Sequence, residues 1–182
     1  MSATSDAPVT QEPPASLEPN STTNRRQGFG AGFLDTISTG WAQRPDIVPP
    51  AREQASFAAA RREALSAAFP GRRLVIPAGA PKQRSNDTDY PFRAHSAFSH
   101  LTGWAADAEP GSVLVFEPTA DGHDVTLYFR ERADRTTSEF YSDASIGEFW
   151  IGPRPALDGI AADLGVATAH IDTLERREGD LV

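Results

Sequence analysis

In the segment "GFGAGFLDTISTGW", Phe29, Phe33, Ile37 and Trp41 recur every four residues, the spacing that stacks side chains on one face of a helix. Gly28, Gly30, Gly32 and Gly40 weaken that helix, because glycine loses the most backbone freedom on ordering. The pattern predicts a short amphipathic segment docked on its own domain, with a membrane or partner contact as the alternative. "RPDIVPPAR" then marks a boundary. Residues 51–69 are rich in alanine and carry arginine and glutamate, and Pro70-Gly71 follows as a stop. A helix is predicted there, with Phe57, Ala64, Leu65 and Ala68 near its inner face.

The period then changes from helical to two-residue. "LVIPA" at 74–78 reads as a short buried strand, and "SVLVFEP" and "VTLYFRE" flank "TADGH". The Asp121-Gly122 pair predicts a hairpin that joins them antiparallel. "PALDGIAADLG" reads as a helix ending at Gly165, "ATAHI" as a strand, and "DTLERRE" as a helix opened by Asp172 with Glu175 in the capping-box position. Helices and strands alternate, but one strand pair is a hairpin. The fold class is therefore α/β, a mixed β-sheet flanked by helices.

Residues 1–24 consist mainly of Ser, Thr, Pro, Glu and Ala, a composition that buries too little surface to offset the entropy of ordering. The domain reading is a disordered tail over 1–24, a linker with the amphipathic segment over 25–50, and one folded domain over 51–182. A formal charge of −8 with a single lysine, Lys82, argues against nucleic acid as the partner, since that affinity comes from clustered basic side chains. No cysteine is present for a disulfide or a thiolate. A secretion signal and an apolar run long enough to span a bilayer are both missing, so no membrane contact and a cytoplasmic location are expected.

The candidate chemistry is sparse. His95 and His100 are five apart and so point to different faces of a helix, unlike the four-residue spacing of a shared metal. His123 falls in the hairpin turn and His170 near a strand end. The acids Asp87, Asp89, Glu109, Asp121, Asp124, Glu131 and Asp134 lie in or beside the strand region. They leave open a free-standing metal-dependent hydrolase, although solvated loop carboxylates are the plainer reading. The densest stretch is "RSNDTDYPFRAHSAFSHLTGW" at 84–104. There the Tyr90-Pro91 step favours an extended entry, Ser96 is placed to cap a short turn and Gly103 to end it. Tyr90, Phe92, Phe98 and Leu101 supply apolar packing.

That stretch resembles the N-terminal domain of aminopeptidase P, the Xaa-Pro aminopeptidase branch of the creatinase and prolidase superfamily. The family pattern R-S-x-D-[ST]-[DE]-Y-P-[YF]-R, followed by N-S-x-F-x-x-[LF]-T-G, stands here as "RSNDTDYPFR" and "HSAFSHLTG". Downstream, "SEFYSDASIGEFWIGPRPALDGIAADLGV" resembles the segment in which an E-x-W-x-G-R core precedes a helix and a strand. The departures are His95 in place of Asn, Ala97 in place of an acid, and Pro153 between Gly152 and Arg154.

The resemblance implies a creatinase-like domain of ribonuclease H-like layer architecture, non-catalytic in itself. It implies no cofactor in this segment and two divalent metals, usually manganese, in a separate C-terminal catalytic domain. Seven residues follow Glu175, so that domain is expected outside this chain. The implied partners are the enzyme's own C-terminal domain, further copies in a homo-oligomer, and peptides with proline second. By the same resemblance Asp87 and Trp150 lie at the substrate entrance, Asp87 pairing with the peptide α-amino group and Trp150 offering a face to the proline ring. The residues themselves leave the plainer roles open, Asp87 capping its own loop and Trp150 packing in the core beside Phe149. The competing reading is a catalytically silent creatinase-like module that binds peptides or proteins.

Overall fold

Two strands of alternating side chains form the centre of the sheet. The computed structural model describes residues 29–44, 47–86, 88–178 and 180–182. The tail predicted over 1–24 lies outside them. In chain order the elements are α1 (Ala31–Ile37), α2 (Gln54–Ala68), β1 (Leu74–Pro77), α3 (Ser96–Thr102), β2 (Val113–Thr119), β3 (Gly122–Phe129), α4 (Ser138–Ser142), α5 (Glu148–Ile151), α6 (Leu157–Leu164) and β4 (Ala167–His170). A single 3-10 turn, Ile171–Thr173, follows.

The four strands lie in the order β1-β2-β3-β4. β1 and β3 both pair antiparallel with β2, while β4 pairs parallel with β3, Phe129 opposite His170. The sheet is therefore mixed, as the hairpin within an alternating chain predicts. Leu114, Phe116, Leu127 and Phe129 belong to the main core cluster, which they share with Phe98, Leu101 and Trp104 from α3 and the turn after it and with Ile160 and Leu164 of α6. The ring of Trp104 meets Phe129 edge-on, centroids 5.4 Å apart, and each such fully buried side chain contributes roughly 1.5–3 kcal/mol.

Four local expectations are corrected. The buried face of α2 is Ala55, Ala58 and Arg62, and Phe57 is 64% exposed. Small alanines let α2 approach closely, and Arg62 turns inward because it has two carbonyl partners there, Leu101 O at 3.0 Å and Gly165 O at 2.9 Å. The hairpin forms as predicted, but its loop lies one residue earlier than the Asp121-Gly122 pair: Thr119 pairs with Gly122, so Ala120 and Asp121 form the two-residue loop. No non-glycine residue among those described has positive φ, and the unusual conformation falls on Gly122 instead, at φ 150°.

The third correction concerns 84–104. Ser96 begins α3 and does not cap it; the N-cap is His95, which makes no side-chain cap bond. The chain enters through the His95 N–H donating to Ala78 O, and Gly103 ends the helix at φ 73°. Phe98 and Leu101 are buried as predicted, but Tyr90 is exposed. Fourth, beyond the 3-10 turn residues 174–177 form no helix. His170 Nδ1 accepts from the Asp172 N–H, and the chain then returns to β1, where Val75 N–H donates to Leu181 O and Leu181 N–H to Arg73 O. Arg73 fixes this return through Asp180 at 2.6 Å and Glu117 at 2.8 Å.

Candidate functional site

The connection from β3 to α6 holds two short helices, α4 and α5, and the sequence shows how. Asp134 accepts from the Thr136 N–H and hydroxyl, which leads into α4, and these bonds hold its carboxyl below the usual aspartate pKa. Asp143 closes α4 by accepting from the Ser145 N–H and hydroxyl. Gly147 then lies against the end of α4: an added Cβ would stand 2.6 Å from Asp143 O and 2.8 Å from both Glu139 O and Phe140 O. Only glycine leaves room for that approach.

The result is that α5 presents three consecutive large side chains. Phe149, Trp150 and Ile151 are 49%, 59% and 49% exposed. Trp150 donates its indole N–H to Tyr141 O, and its ring meets Phe149 edge-on at 5.4 Å. Trp41, from the segment after α1, meets Phe140 at 5.9 Å and Phe149 at 6.5 Å. Its own indole N–H donates to Ile37 O at 2.8 Å. The every-fourth-residue spacing of Ile37 and Trp41 thus ends in contact with α4 and α5.

A buried ionic network supports this surface. The Glu148 side chain, 2% exposed, accepts from Arg44 at 3.2 Å, from Ala133 N–H at 2.8 Å and from Arg154 N–H at 3.0 Å. Arg154, 1% exposed, pairs with Glu139 at 2.5 Å, and Glu139 also faces Arg130 at 3.4 Å. A carboxylate can be held so deep only when nearly all its lone pairs are matched. Glu109 lies close enough to feel both charges. Its carboxyl pKa is raised by burial, a shift that Arg154 opposes and Glu148 reinforces.

Of the two residues assigned to the entrance, Trp150 stands on the exposed face of α5 and is not a core residue. Asp87 lies outside the described residues. Of the described residues near it in sequence, the N–H groups of Arg84 and Ser85 both donate to Thr88 O, and Tyr90 N–H donates to Lys82 O. Arg44, Glu148 and Arg154 were not singled out from the sequence as site residues. The signal for Glu148 was its place inside "IGEFWIG", one acid in an otherwise apolar run.

The metal pair implied by the resemblance does not fit the described residues. None of them form a group of three or more His, Asp or Glu side chains able to hold a metal ion. Two of the histidines have other work: His123 bridges Ser66 and Arg72 O, each at 2.8 Å, and His170 bonds the Asp172 N–H. The described helices also include none long and apolar enough to cross a membrane.

Over 156 residues the chain is 44% identical to Xaa-Pro aminopeptidase 1 of Streptomyces coelicolor, a match covering 82% of this chain and 30% of that protein. It is 45% identical over 158 residues to Xaa-Pro aminopeptidase 2 of the same organism, covering 82% and 32%. The low-pH form of aminopeptidase P from Escherichia coli superimposes with a TM-score of 0.53 at 28% identity, over 67% of this chain and 25% of that one. The chain thus spans about a third of the length of the Streptomyces relatives it matches. The sequence model of the aminopeptidase P N-terminal domain matches residues 58–180, from α2 to the closing contact with β1 and so across the whole sheet, and the chain belongs to that family.

Proposed function

We infer that the chain acts as the non-catalytic N-terminal domain of a metal-dependent Xaa-Pro aminopeptidase, removing the residue that precedes proline, and that it supplies oligomer contacts and part of the substrate entrance. The observation that carries this reading is the α5 surface, where Phe149, Trp150 and Ile151 stand together in solvent. Three adjacent apolar side chains held outward by a glycine contact suit a surface that meets another chain or a ligand. Trp150 suits a proline ring, since a flat indole face lets the ring shed water, a contact on the order of 1 kcal/mol when partly exposed.

Asp87 complements it chemically. A peptide α-amino group, with a free pKa of roughly 8, is largely cationic at neutral pH and pairs with a loop carboxylate. The reaction itself belongs to a C-terminal catalytic domain, in which two divalent metals, manganese in this reading, would activate the attacking water. The enzyme so described is a cytoplasmic homo-oligomer.

The test uses the longer enzyme. Asp87→Ala and Trp150→Ala are each expected to lower kcat/KM by roughly 5- to 100-fold with the fold preserved, about 1–3 kcal/mol of transition-state binding. Wild-type kinetics in both variants would remove the entrance assignment. Sedimentation of Trp150→Ala and Phe149→Ala reports separately on the oligomer contact.

A further inference from the structure

Trp41, Arg44, Val48 and Pro49 on one side, and residues drawn from Arg132 to Ile160 on the other, line a cavity of about 590 Å³, within the range of small-molecule sites. One part of its wall is apolar, with Trp41, Val48, Pro49, Phe140 and Ile160. The rest is markedly cationic: Arg44, Arg132, Arg135 and Arg154 against Glu148 and Asp158, in a chain whose formal charge is −8.

Two of these arginines have donors left over. Arg154 uses Nη2 on Glu139, while its Nε and Nη1 are buried without a hydrogen-bond partner. Arg135 Nε is buried and unpartnered as well. Leaving a buried N–H unmatched costs about 1–3 kcal/mol, and more when the group is charged. Among the described residues the neighbouring acids do not answer them. Glu148 is occupied by Arg44 and two backbone N–H groups, and Glu109 lies within reach of the Arg154 charge without bonding either free nitrogen. Arg135 donates to Ala42 O and lies over the Trp41 ring, 5.0 Å from its centroid, and neither partner carries a negative charge.

We propose that this cavity binds a small organic carboxylate, its anionic end at Arg135 and Arg154 and its apolar body against Trp41, Val48 and Phe140. A monoanion matches a site in which Arg44 and Arg154 already face carboxylates of the chain, and the apolar wall selects a hydrocarbon body over a bare inorganic anion. Binding draws only on residues of this chain, so it is independent of the peptidase reading.

Calorimetric titration of the purified 182-residue chain with phenylacetate, phenylacetamide and inorganic phosphate tests it. Phenylacetate is expected to saturate one site with a Kd on the order of 0.1–1 mM. The neutral amide and phosphate should each bind at least about tenfold more weakly, because each lacks one of the two features that the site recognises. Arg135→Gln should weaken phenylacetate by about tenfold or more with an unchanged circular dichroism spectrum. Arg154→Gln should do the same; if it fails to fold, Arg135→Gln decides. Non-saturable phenylacetate binding, equal affinity for the amide or for phosphate, or full affinity in Arg135→Gln would overturn the proposal.

Discussion

Trp150 donates its indole N–H to the backbone oxygen of Tyr141 at 2.7 Å while its ring stays 59% exposed. An aromatic ring in solvent is ordinarily free to change rotamer, and ordering it on contact has an entropic cost. Here that cost is met within the domain. Trp150→Phe keeps an aromatic face and removes the donor, so it is expected to destabilise the chain by only about 1 kcal/mol. Urea unfolding monitored by far-UV circular dichroism measures this. A loss several times larger would show that the ring carries core packing.

Gly147 sets where that ring stands. Its φ of −71° is open to any residue, so the constraint is space: three carbonyl oxygens of α4 and the turn after it lie within 2.8 Å of where a Cβ would be. Backbone oxygens cannot swing aside as a flexible side chain can. Gly147→Ala should therefore shift α5 away from α4 and cost about 1–3 kcal/mol. The same variant should lose the near-UV dichroism of the Phe149 and Trp150 pair, whereas Gly32→Ala, in helical backbone of α1 where no atom lies within 4 Å of the added Cβ, should keep it.

These two cases show what was legible in the sequence. The strands, the hairpin and the helix ending at Gly165 could be read because period and turn residues are local signals. The inner face of α2 could not. Phe57 has the larger apolar side chain, yet Arg62 is the residue buried, because its carbonyl partners come from Leu101 and Gly165, 39 and 103 positions away. The helix expected from Asp172 failed in the same way. A local capping signal lost to Arg73, which pairs with Asp180 and donates to Glu175 O. Glu148, Trp150 and Arg154 all stand in the E-x-W-x-G-R motif, but the buried network that Glu148 and Arg154 share follows only when Arg44 and Glu139 arrive from other elements.

Arg62 gives the next prediction. It closes the C-terminal ends of α3 and α6 together, and burial holds its guanidinium pKa below the usual arginine value, with Glu63 opposing. Arg62→Ala strands both carbonyls and should destabilise by about 2–4 kcal/mol in urea melts. Arg62→Lys, a point charge without the fork, serves one carbonyl at most and should recover less than half of that loss. Recovery of full stability by lysine would show that charge alone suffices.

Asp180 supplies a pH dependence. Arg73 and the Arg177 N–H hold its carboxyl below the usual aspartate pKa. A depressed pKa means that the folded protein binds this proton less readily than the unfolded chain does. The stabilisation is therefore present above the ordinary aspartate pKa and is lost as pH falls through the depressed one. Asp180→Asn should have a lower Tm than wild type at neutral pH, with the two curves converging in acid. A constant gap across the titration would assign the effect to packing.

Glu109 runs with the opposite sign. Burial raises its pKa, Arg154 opposes the shift and Glu148 adds to it, so the folded protein holds this proton more tightly than the unfolded chain. Between the ordinary glutamate pKa and the raised one, the folded state has more protons bound, and stability falls as pH rises across that window. Above it the penalty is constant, and below it there is none. Glu109→Gln places a neutral group of nearly the same shape there and removes the charge that burial disfavours. The variant should melt roughly 2–4 °C above wild type at neutral pH, and the difference should close as pH drops into the ordinary glutamate range, where the wild-type side chain is itself neutral. Paired thermal melts of the two proteins across the acidic range measure it. A variant that melts below wild type at neutral pH would mean that the Glu109 carboxylate is held in place by Arg154 more strongly than it is penalised by burial.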